Sequence, residues 1–84
     1  MEALDSYQQQ EAILKAIVAF FNQYSVAPTI ERVSAIIYGD DQKKGRTHYH
    51  VIQLRERGLL LPSTEITRGQ LVPTDEGIRQ GSTA

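Results

Sequence analysis

With 84 residues and a mass of 9.4 kDa, the chain has room for one small domain, and a hydrophobic content of 40% suits a folded protein. The absence of cysteine excludes disulfide stapling, thiol catalysis and cysteine-based zinc-finger spacing, and leaves helix packing or association to supply stability. The formal net charge of −1 hides an asymmetry: residues 1–40 hold two cations against five carboxylates, whereas five of the seven cations in residues 41–84 fall between Lys43 and Arg57.

That local concentration offers a polyanion a place to dock, although a chain with a pI of about 6.1 is not expected to bind nucleic acid strongly without specificity. The start, MEALDSYQQQ, is acidic and polar where a secretory signal is basic and then apolar, and no apolar run approaches a bilayer span. A soluble cytoplasmic protein without membrane contact is expected. Residues 1–8 read as a leader, 9–80 as the domain and 81–84 as a flexible tail.

From Glu11 to Tyr24 the apolar residues recur at helical spacing, with Ile13, Leu14, Ile17, Val18, Phe20, Phe21 and Tyr24 on one broad face. This face is wider than one side of a small domain needs. Besides a core role, it leaves room for a homodimer or protein partner reached through Val18 or Phe20. In SVAPTIERVSAII, Pro28 sets an extended approach, Thr29 is a candidate N-cap and Glu31 favours the first turn of a second helix. Ile30, Val33 and Ile37 share one side of it, and Tyr38-Gly39-Asp40-Asp41 ends it.

A third helix is predicted to start between Gln42 and Arg46 and to end at Arg57, before the C-cap residue Gly58. Next come two short apolar segments, LLLPS and QLVPT, separated by the polar TEITRG; together they predict a β-hairpin, with Pro62 and Pro73 at edges or strand ends. Thr74-Asp75-Glu76 then reads as the cap and acidic first turn of a short terminal helix. The expected fold class is α+β: a winged helix-turn-helix, a three-helix bundle with a C-terminal β-hairpin wing and a short terminal helix.

Within GRTHYHVIQLRERGLL, Thr47, Val51 and Leu54 fall on the core side of a helix, and Arg46, Tyr49, Gln53 and Arg57 on the other. Arginine forks onto guanine, glutamine pairs with adenine in the major groove, and tyrosine stacks or donates to phosphate. Lys43 and Lys44 add charge where a helix N-terminus already favours phosphate. Alone, such residues are an ordinary solvated face; followed by a hairpin, they point to DNA. His48 and His50 lie about 200° apart on a helix and cannot chelate one ion, so no metal or other cofactor is expected. His50 borders the core stripe, while His48 is placed to touch backbone phosphate. No nucleophile arrangement or phosphate-binding glycine loop is present, and an enzyme is not expected.

QQEAILKAIVAFFNQYSVAPTIERVSAI and HVIQLRERGLL resemble the N-terminal DNA-binding domain of LexA-type repressors, and QLVPTDEGIRQ is similar to the end of MarR-type regulators, where a strand runs into a Thr-x-x-Gly helix start. The resemblance implies base or phosphate contacts from Lys43, Gly45, Arg46, His48 and Tyr49. Because the LexA family has small and acidic residues at several of these places, the target sequence does not transfer. The 84 residues hold no Ser-Lys self-cleaving domain and no long terminal dimerisation helices, so induction by self-cleavage is not expected and dimerisation would need another surface.

The function expected is sequence-specific binding of double-stranded DNA as a small transcriptional regulator, most simply a repressor. The third helix would lie in the major groove, and the wing, with Arg68 near its tip, on backbone or minor groove. The alternative is a winged-helix protein–protein interaction module, a small accessory or phage-type factor binding a regulator, which the overall acidity favours.

Overall fold

A computed structural model describes residues 6–40, 44–63 and 69–82, and among them the chain forms four helices: α1 (Ser6–Tyr24), α2 (Ile30–Tyr38), α3 (Lys44–Glu56) and α4 (Asp75–Gly81). Each of the other three packs against α1, and α2 also packs against α3. The core is one cluster, in which Ile13, Leu14, Ile17 and Val18 of α1 meet Val33, Val51, Leu54, Leu59, Leu60 and Leu71. The helix begins at Ser6, ahead of the periodic segment, because Gln8, Gln9 and Gln10 are good helix formers that carry no apolar signal.

The width of the apolar face on α1 is explained largely by α4. Val18 is buried against Gly81, where a side chain would meet its methyl groups, so Val18 does not face a partner. Phe20 is half-buried and packs its ring at a tilt against that of the exposed Tyr24, with centroids 4.6 Å apart. Only the C-terminal end of that face reaches the surface.

The boundaries of α2 follow its capping residues. Thr29 has extended backbone and its Oγ1 accepts from the Arg32 amide at 3.3 Å, while Gly39, at φ 69°, ends the helix in the left-handed region and donates to the Ala35 carbonyl. The end of α3 is a Schellman turn. Gly58 at φ 75° donates to the Arg55 carbonyl, Leu59 donates to that of Leu54, and the two leucines are buried together.

The predicted β-hairpin wing is not seen, and the α+β assignment is corrected to an all-helical domain: among the described residues there is no strand, only isolated bridges pairing Thr29 with Gln70 and Leu60 with Pro73. Leu61 donates to the Val72 carbonyl at 2.8 Å and Thr74 to that of Leu59 at 3.0 Å, closing a single bridge. On one side the exit of α3 and the cap of α4 end the two arms; on the other the Leu61 carbonyl accepts from Arg55 Nε at 3.0 Å, and Leu71, whose amide faces the opposite edge, donates to Pro28 at 2.8 Å. The stretch 70–73 is thus shared between two neighbours, one bridge each. The expected turn at residues 64–68, Arg68 included, lies outside the described residues.

Thr74 joins α3's exit to α4. Its Oγ1 donates to the Gly58 carbonyl at 2.7 Å and accepts from the Gly77 amide at 3.0 Å. Any Cβ at residue 77 would collide with the Leu59 carbonyl oxygen, which is why the Thr-x-x-Gly spacing is needed here. Among the described residues no helix is long and apolar enough to cross a membrane.

Candidate nucleic-acid interface

Helix α3 is held by its inner stripe. Thr47, His50, Val51 and Leu54 are buried, and the Thr47 and Ser34 hydroxyls lie 2.7 Å apart in the interior, fixing α3 against α2. A buried hydrogen bond between two hydroxyls offsets part of their desolvation and favours one register between the two helices. With that stripe inward, helical spacing of roughly 100° per residue turns Gly45, Tyr49, Ile52 and Glu56 outward, and all four are exposed.

Two rows of cations flank this outward strip. On one side are Lys44 and Arg55, with His48 between them; Arg55 Nε donates to the Leu61 carbonyl at 3.0 Å, which places that row beside the segment leaving α3. On the other side are Arg46 and Arg57. The Arg46 guanidinium sits 5.7 Å from the centre of the Tyr38 ring, and Arg57 lies 5.9 Å from that of Tyr7 and donates to Gln10 Oε1 at 2.5 Å. Burial raises the Tyr38 phenol above its ordinary 10.0 despite the Arg46 charge, so the phenol keeps its proton and donates to Gln9 Oε1 at 3.0 Å. Each arginine is thereby positioned by an aromatic ring while its row stays positive.

Of the sequence-derived candidates, Lys44, Gly45, His48 and Tyr49 come together on the exposed face, with Arg46 at its edge. Gln53 is half-buried, and its amide, expected to meet an adenine edge, is hydrogen bonded to Gln10 of α1. Lys43 and Arg68 lie outside the described residues. Sequence reasoning missed Ile52 as a surface residue and Arg55 as part of a row. An isoleucine beside a core valine carries no signal for which side it faces, and helical spacing from Thr47 was the only available pointer.

His50 is 3% exposed, its Nδ1 has no hydrogen-bond partner among the described residues, and the Tyr49 ring meets its edge at 5.3 Å between centroids. Burial, and after it the Arg46 charge, lowers its pKa from the ordinary 6.5, so at neutral pH the imidazole is an uncharged part of the core. Among the described residues no group of three His, Cys, Asp or Glu is placed to hold a metal ion.

A second surface feature lies away from α3. Ala16, Ala19, Phe20, Tyr24, Arg32 and Ile36 line an open groove of about 320 Å³ between α1 and α2, with Tyr24 55% and Ile36 50% exposed. Comparison with protein-family models, curated protein sequences and solved structures gives no match.

Proposed function

We propose that the chain binds double-stranded DNA as a small transcriptional regulator, most simply a repressor, by laying the outward face of α3 in the major groove. The observation that supports this reading is the layout of α3. A strip with no cation, Gly45 to Glu56, runs between a row holding Lys44 and Arg55 and a row holding Arg46 and Arg57. A helix in the major groove meets base edges along its centre and phosphates on both walls, which calls for cations on both sides. At 13 residues α3 is about 20 Å long, enough to cross the roughly 12 Å groove.

One helix of this length contacts few base pairs, so useful specificity requires two copies on adjacent half-sites. Selection from a random duplex library tests the reading: a short enriched motif, repeated with two-fold symmetry, is the expected outcome. Recovery of unenriched sequence after repeated rounds would overturn it.

The groove between α1 and α2 favours a second reading, a protein–protein interaction module, because exposed Ile36 and Tyr24 form an apolar surface that α3 does not need. Replacing Ile36 by aspartate separates the two: DNA affinity is unchanged in the first reading for a single protomer on a half-site, whereas partner binding is lost in the second.

A further inference from the structure

On the strip between the cation rows, Ile52 is 44% exposed and stands one turn beyond Tyr49, which is 56% exposed. A lone surface isoleucine is ordinary anywhere else on a protein. Here the charge complementarity decides what would cover it: a duplex drawn onto both rows brings the floor of its major groove onto the strip between them, on which Ile52 stands toward the Lys44–Arg55 side. Glu56, one turn further along the same strip, would repel phosphate but can accept from a cytosine amino group, which also assigns the strip to the groove floor and not to its walls.

The groove floor offers a single apolar group, the 5-methyl of thymine. The sec-butyl side chain of Ile52 has no donor or acceptor, so against a G·C edge it would strip water from polar atoms and replace nothing. We infer that Ile52 is a specificity-determining residue that reads a thymine 5-methyl group in the target duplex, an inference that rests on the DNA-binding reading above.

The test uses the full chain and the duplex enriched from the random library, with each dT replaced singly by dU, a change that removes only the methyl. The dissociation constant is read by fluorescence anisotropy. One dU position is expected to weaken wild-type binding about fivefold, in keeping with the burial of one methyl group. Ile52→Ala should weaken binding to the dT duplex by a similar factor and bind the dT and dU duplexes equally, while Ile52→Val keeps the preference for dT. Because the side chain is exposed, all variants should melt with the wild type.

A duplex that binds well yet shows no sensitivity to dU at any position overturns the inference and leaves the DNA-binding reading standing. So does an Ile52→Ala protein that still prefers dT at the same position. Failure of any duplex to bind overturns both.

Discussion

At the scale of single residues, His50 shows how a polar group can be legible in position and still be chemically unusual. Its place beside the core stripe follows from helical spacing, but the unpartnered Nδ1 does not, because that depends on which neighbours pack around it. The unfolded chain protonates near the ordinary 6.5, whereas the folded protein holds the imidazole neutral to lower pH because of burial and Arg46. Below about 6.5 the unfolded state therefore binds more protons than the native state. The stability that a neutral His50 permits is fully present above that pH and is lost as the pH falls through the lowered native value. Melting temperature should drop between pH 7.5 and 5.5 in the wild type and drop less in a His50→Leu variant. Parallel curves for the two proteins would show that another group controls the acid response. Gln53 teaches the complementary lesson: its helical angle was readable, but its hydrogen bond to Gln10 requires knowing where α1 begins.

At the scale of elements, caps and spacing carried most of the information. Thr29 and Gly39 bound α2, Gly58 closes α3, and Thr74 with Gly77 starts α4, each by a local hydrogen bond or backbone geometry that the residue type itself dictates. The hairpin was not legible because strand pairing depends on distant partners: the two arms meet in a single bridge at Leu60 and Pro73, and the Leu61 carbonyl accepts from the Arg55 side chain. Helix pairing yields a quantitative expectation at Ser34 and Thr47. Ser34→Ala and Thr47→Val should each cost about 1–2 kcal/mol by stranding a buried hydroxyl or leaving it underused, whereas the double variant should cost less than the sum. Urea unfolding of the four proteins checks this; strict additivity would mean that the two hydroxyls do not interact. Gly77→Ala should be far worse than either, at about 3 kcal/mol, because the collision is with backbone and cannot be relieved by a rotamer change.

At the scale of the whole molecule, α1 and α2 each set one carboxylate against one cation, whereas α3 with the Arg57 that follows it sets four cations against Glu56, so a net charge of −1 coexists with a local basic edge. This asymmetry was visible in the sequence; its division into two rows was not, because that requires the inner stripe of α3 to be fixed by Ser34, Val33 and the leucines behind it. The central claim, that both rows meet phosphate, is tested most directly by the salt dependence of binding to the enriched duplex. Lys44, Arg46, Arg55 and Arg57 together predict that the logarithm of affinity falls against the logarithm of salt with a slope of about −3.6 or steeper per protomer. Lys44→Gln and Arg46→Gln, one from each row, should each flatten it by about 0.9, while Arg32→Gln, in the groove between α1 and α2, should leave it unchanged. A slope near zero, or one that Arg32→Gln flattens as much as the α3 variants do, would contradict the claim.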